Sequence, residues 1–240
     1  MCENQLSKQL SDKLSEQLSQ LSEQLSNKLS EQSSKQSSEQ VKNKFCIVIE
    51  GLDGIGKSTI VNYLAENLNA KLIATPPDII KPFRSIFIED NNTDIRFTYY
   101  MVGNFIAGEE VKRILLDEQN QSVIMDRFYA STIAYIMGKS DDELPTIGSD
   151  VYSWPKDLFK PEYMFVLTMD ETDRIERLIN RSIKQNNQLS KEDMQIKSNP
   201  FISERINQIY RNIGCIEIKV NKTDTTEMIC DKIKEYITIY

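Results

Sequence analysis

The sequence predicts an α/β protein: a five-stranded parallel sheet with helices on both faces. From Phe45 onward, short apolar runs rich in β-branched residues alternate with longer stretches of helical period, the pattern of strands buried on both sides. The first run leads directly into a glycine-rich turn and then a helix. Polar residues suited to ligand binding follow the ends of the first and third runs, where an open sheet of this kind places its site.

Taken in order, the strands are read at 45–49 (FCIVI), 71–74 (KLIA), 122–125 (SVIM), 164–168 (MFVLT) and 216–220 (IEIKV). Helices are read near 58–69, where Ile60, Val61 and Leu64 share a face, and near 94–116, 128–138, 171–183, 200–212 and 225–237. Together they form a single domain over 45–240, preceded by a tail over 1–44. The tail has another composition altogether: nineteen of its first forty residues are Ser or Gln, and it holds no Gly, Pro or aromatic residue. Leu6, Leu10, Leu14, Leu18, Leu21, Leu25 and Leu29 fall within about 140° of one helix face at about 100° per residue. The tail therefore admits two states, a disordered low-complexity segment or an amphipathic, self-associating coiled coil.

Composition narrows the chemistry. No histidine occurs, which removes imidazole relays, histidine general bases and histidine-ligated zinc. Cys2, Cys46, Cys215 and Cys230 are scattered without CxxC spacing and read as reduced small hydrophobes. The tail's six lysines cancel its six acids, so the net charge of −7 belongs to the domain and argues against nucleic acid or an anionic membrane as partner. With no apolar run of membrane-spanning length and no targeting signal, a cytoplasmic location is expected.

Gly51, Leu52, Asp53, Gly54, Ile55, Gly56, Lys57 and Ser58 match G-x-x-x-x-G-K-S/T between a strand and a helix, with Thr59 next. Glycines let the backbone wrap a phosphate with its N–H groups inward, and the helix N-terminus adds partial positive charge. Lys57 bridges phosphate oxygens and the Ser58 hydroxyl is the expected Mg²⁺ ligand, so the chain is expected to bind a nucleoside triphosphate. Asp126 directly follows the third strand in a Walker-B-like position and is the second Mg²⁺ candidate. The adjacent Arg127 would repel a metal but grip an anion, which points to a second phosphate arriving opposite the first. Asn221-Lys222-Thr223-Asp224 spells the guanine-reading N-K-x-D, but position 129 is Tyr where a D-x-x-G turn needs Gly, and only sixteen residues follow Asp224. It is read as a loop near the nucleotide base.

The segments 50–59 (EGLDGIGKST) and 126–128 (DRF), with Arg174 to Arg181, resemble the thymidylate kinase family of nucleoside monophosphate kinases. Within it the chain is most similar to the mitochondrial UMP-CMP kinase branch, through Thr75-Pro76-Pro77, 99–105 (YYMVGNF) and 151–161 (VYSWPKDLFKP). The resemblance implies a P-loop nucleoside monophosphate kinase fold with a mobile lid, and transfer of the ATP γ-phosphoryl to a pyrimidine nucleoside monophosphate. By family the acceptor is dTMP; by branch it is dUMP, dCMP, UMP or CMP. The resemblance makes Lys57, Asp53, Arg127, Arg177 and Arg181 the catalytic set, and Arg84, Arg96, Tyr100, Asn104, Phe105 and Arg127 the acceptor-binding set. Thymidylate kinases commonly carry an arginine where Phe105 stands, and an aromatic cannot report the pyrimidine O4. Gly54 and Ile55 leave the P-loop without an arginine, so the lid region is expected to supply it: closure of the polar segment 182–199 would bring Arg177 and Arg181 onto ATP. Arg174, Arg177 and Arg181 are spaced to share one helix face. The family commonly dimerises, which leaves a homodimer open. A regulatory P-loop ATPase or GTPase is the alternative of another class. Trp154 is read as packing.

Overall fold

The computed structural model describes residues 44–88, 92–117, 121–140, 142–186, 194, 196, 197 and 199–238. Residues 1–43, and with them the two readings of the tail and the environment of Cys2, lie outside the described residues.

The chain runs β1 (Cys46–Gly51), α1 (Lys57–Asn67), β2 (Lys71–Ala74), a 3-10 turn (Asp78–Phe83), α2 (Arg84–Ile88), α3 (Thr93–Leu116), β3 (Val123–Asp126) and α4 (Tyr129–Met137). After a second 3-10 turn (Asp150–Tyr152) come β4 (Tyr163–Thr168), α5 (Glu171–Gln185), α6 (Pro200–Ile213), β5 (Ile216–Lys219) and α7 (Thr226–Thr238). The five strands form one parallel sheet in the order β2-β3-β1-β4-β5. β1 is central, and Cys46 to Ile49 together with Val123 to Met125 are fully buried, as strands covered on both faces must be. α1 packs on α7 in one layer, while α3, α4 and α6 pack side by side in the other. The sequence reading of five strands and a doubly wound sheet is therefore observed.

Three differences have local causes. β1 runs two residues past the expected end, because Glu50 and Gly51 pair with Val166 and Leu167 of β4. At Gly51, φ is +132°, and a Cβ there would lie 2.6 Å from the Leu167 carbonyl oxygen, so only glycine lets the strand stay paired while it turns. The short helical elements between β2 and α3 carry too few residues for a periodic signal. Of the segment expected as a lid, 182–185 continue α5 and Ile196 is buried in the core, while 187–193, 195 and 198 lie outside the described residues.

Trp154 packs, as read: its ring meets those of Phe128 and Tyr129, and its indole N–H donates to the carbonyls of Leu158 and Phe159. Cys46, Cys215 and Cys230 are buried and unbonded to one another, and burial pushes each thiol above its usual value. No helix among the described residues is long and apolar enough to cross a membrane.

Candidate active site

The site forms where β1 and β3 end. Leaving β1, the chain turns through Asp53 to Gly56 and enters α1 at Lys57, with Gly54 and Gly56 at φ of +92° and +105°. α5 lies along this loop and fixes it. Arg174 is fully buried, holds Glu171 in a two-pronged ion pair (2.8 and 2.6 Å) and donates to the Asp53 carbonyl at 2.8 Å. Arg177 donates to the Ile55 carbonyl at 3.1 Å. Leu178 fills the space a side chain at Gly54 would need: a Cβ there would sit 2.7 Å from Leu178 Cγ. Arg181, further along α5, is exposed. The three arginines are thus split by the structure: Arg174 is a structural clamp on the loop, Arg177 touches it, and Arg181 faces solvent.

Lys57 is 5% exposed and donates to the Leu52 carbonyl at 2.7 Å, with Asp53 at 3.4 Å. Burial and the nearby Arg127 lower its pKa to about 8. Arg127 follows β3 in a left-handed conformation, φ +66°. Its guanidinium donates to Asp53 Oδ1 at 2.7 Å, to Ser131 Oγ at 3.0 Å and to Tyr135 Oη at 3.3 Å. Burial alone would raise the Asp53 carboxyl, but Arg127 and Lys57 hold it well below the usual carboxylate range. One carboxylate oxygen therefore joins the P-loop lysine to the arginine opposite.

Beyond Arg127 lies a cavity of about 210 Å³, lined by Asp53, Arg84, Arg96, Tyr100, Arg127 and Lys139 among others. Of the six acceptor candidates, the cavity gathers Arg84, Arg96, Tyr100 and Arg127. Asn104 stands behind it, 1% exposed, donating to Thr132 Oγ1 at 3.0 Å. Phe105 is 40% exposed and is not in the lining. Tyr99 is buried, stacked on Phe87 and bonded to the Ile80 carbonyl. Sequence reasoning missed Ser131, Thr132, Tyr135 and Lys139, all in the lining. A signal existed: Arg127, Ser131, Tyr135 and Lys139 recur every four residues, the spacing of one helix face.

The two metal candidates meet. Ser58 Oγ donates to Asp126 Oδ2 at 3.3 Å, and Asp126 Oδ1 is buried without a hydrogen-bond partner. A hydroxyl and a carboxylate with an unsatisfied oxygen, beside a phosphate loop, are the hard oxygen donors Mg²⁺ takes, so these residues fit the ion. In the N-K-x-D segment, Asp224 accepts from the Asn221 N–H at 3.0 Å and from Lys232 at 2.8 Å, and Lys222 pairs with Glu176. Its carboxylate caps its own turn, unlike one kept for reading guanine.

A P-loop entering a helix, a carboxylate ending β3 and a cation-lined cavity across a shared aspartate define a P-loop fold of the nucleoside monophosphate kinase class. The family model for thymidylate kinase matches residues 49–229. The chain belongs to the thymidylate kinase family. It is 33% identical over 179 residues to human UMP-CMP kinase 2, mitochondrial, a match covering 72% of this chain and 39% of that protein. The chain thus aligns with well under half of that relative's length. A probable thymidylate kinase of Methanococcus maripaludis is 31% identical over 142 residues, covering 58% of this chain and 67% of the other. In structure, thymidylate kinase from Candida albicans superposes with a TM-score of 0.61 at 20% identity, covering 82% of this chain and 92% of that one. Deoxyadenosine kinase from M. mycoides gives 0.54 at 14% identity, covering 81% and 100%; at these identities the likeness concerns fold alone.

Proposed function

We propose that this chain transfers the γ-phosphoryl of ATP to a pyrimidine nucleoside monophosphate, with dTMP the first candidate by family. The observation that carries the reading is the Asp53 bridge: Lys57, on the donor side, and Arg127, on the acceptor side, meet at one carboxylate oxygen, 3.4 and 2.7 Å away.

The steps follow from charge and position. The loop amides and Lys57 hold the ATP phosphates; Arg127, with Arg84 and Arg96 across the cavity, holds the acceptor phosphate in line with them. The acceptor is already an anion near neutral pH, so no general base is required, which suits a chain without histidine. As the phosphoryl group moves, the cations offset its charge. Ser58 and Asp126 would hold Mg²⁺, which supplies charge neutralisation on the donor phosphates. Arg181, exposed on α5, is the group expected to close over the triphosphate, with Arg177 beside it at the loop.

Phe105 in place of an arginine, and the 33% identity to a UMP-CMP kinase, favour the second reading, in which dUMP, dCMP, UMP or CMP is the acceptor. Offering Mg²⁺–ATP with dTMP, dUMP, dCMP, UMP, CMP and AMP in turn, and measuring ADP release, separates them. Release is expected only with pyrimidine monophosphates. Steady ATP hydrolysis indifferent to every acceptor overturns the kinase reading in favour of a regulatory ATPase.

A further inference from the structure

Glu50, the last residue before the P-loop, is fully buried, and the mechanism above gives it no task. Its carboxylate faces away from the ATP loop, toward the segment that carries Arg127. Oε1 accepts from the backbone N–H of Phe128 at 3.0 Å and of Ser131 at 3.2 Å; Oε2 accepts from the Ser131 hydroxyl. The same hydroxyl oxygen takes a hydrogen bond from Arg127 Nη1 at 3.0 Å and lies 2.9 Å from Tyr210 Oη.

We propose that Glu50 is the positioning residue for Arg127, acting through the Ser131 hydroxyl. The proposal rests on the reading of Arg127 as the acceptor-phosphate clamp. Arg127 sits at φ +66°, a conformation that a non-glycine residue holds only when its surroundings enforce it. Its own N–H is bonded to the Ile49 carbonyl at 3.1 Å, and the next N–H in the chain, that of Phe128, is held by Glu50. Glu50 thus holds both the backbone just after Arg127 and, through Ser131, one end of its side chain. The direction of the bonds matters: a Ser131 hydroxyl that donates to Glu50 keeps both lone pairs for Arg127 and Tyr210. If the group at Oε2 becomes a donor, the Ser131 hydroxyl must accept there and turn its own proton to Tyr210, so its lone pairs are reoriented and the carboxylate charge that attracts Arg127 is lost. Arg127 is then the partner most free to leave, because Asp53 and Tyr135 also accept from it.

Protonation of Glu50 is one way to make that change, and burial raises its pKa to about 7. The groups whose fields reach it are Arg127 beyond Ser131, Tyr210 on α6 and Cys215 ahead of β5. Burial pushes the phenol and the thiol well above their usual values, so neither changes charge near neutrality.

The test compares wild type, Glu50→Gln, Ser131→Ala and Arg127→Ala in steady-state assays with the preferred monophosphate at about pH 6, 7 and 8. Glu50→Gln and Ser131→Ala are each expected to raise the acceptor KM about tenfold while the ATP KM stays within about twofold. The wild-type acceptor KM is expected to climb more steeply from pH 8 to 6 than in either variant, since both have lost the relay; the acceptor's own titration is common to all. A Ser131 that merely touched the substrate would leave that slope intact in Ser131→Ala, and this result overturns the proposal. So does an unchanged acceptor KM in both variants while Arg127→Ala raises it. If Glu50→Gln does not fold, the Ser131→Ala slope decides. An acceptor KM unmoved by Arg127→Ala removes the acceptor-site reading and this proposal with it.

Discussion

Replacing Arg174 with alanine separates a structural arginine from a catalytic one. The side chain is 1% exposed, holds Glu171 through two hydrogen bonds and the Asp53 carbonyl through a third, and lies against the back of the P-loop. Breaking a buried ion pair by removing one partner costs about 3–5 kcal/mol; with Glu171 at 27% exposure and able to recover water, about 3 kcal/mol is the better figure. For a domain of this size, about 2–4 °C of melting temperature accompanies each kcal/mol, so Tm should fall by about 6–12 °C. The freed Asp53 carbonyl loosens the loop that carries Lys57, and the ATP KM should rise at least about tenfold. Thermal unfolding by circular dichroism and a steady-state ATP titration read the two effects. A Tm within about 2 °C of wild type, with an unchanged ATP KM, would refute the clamp.

Other outcomes follow from the same geometry. Arg181→Ala should lower kcat more than about tenfold while ATP binding stays largely intact, because the exposed Arg181 is assigned to the closed complex alone; unchanged turnover contradicts that role. With a pKa of about 8, Lys57 is charged below that pH and neutral above it in the ligand-free protein, so ATP binding there must take up a proton. Calorimetry should show ATP affinity weakening as pH rises past about 8, with proton uptake; flat affinity to about pH 9 would show that Lys57 does not titrate. Gly54→Ala should raise the ATP KM at least about tenfold, and adding Leu178→Ala should recover only part of the loss, since it removes the 2.7 Å clash but not the +92° backbone strain. Full recovery would mean the backbone angle carries no cost.

The fold was legible because its signals are local. Buried parallel strands show as apolar runs, and the P-loop announces itself through glycines that the backbone angles require. The helices near 58–69 and 200–212 fell within a residue or two of α1 and α6. The acceptor side was only half legible. Arg127 stood out by following Asp126, but Ser131, Tyr135 and Lys139 look like ordinary helix residues until β3 aims that face into the cavity. Arg174 shows the opposite limit: its spacing with Arg177 and Arg181 is real, yet proximity to the P-loop, which sequence does not display, turns the first inward and leaves the third in solvent. Glu50 was hidden for a related reason, since its partners are 78 and 81 residues away along the chain.

The shared Asp53 makes a direct claim about where the γ-phosphoryl goes, and γ-labelled ATP tests it. With Mg²⁺ and the preferred pyrimidine monophosphate, the label should appear in the nucleoside diphosphate in step with ADP, with little inorganic phosphate. Label recovered only as inorganic phosphate, at a rate the acceptor does not alter, would contradict the account.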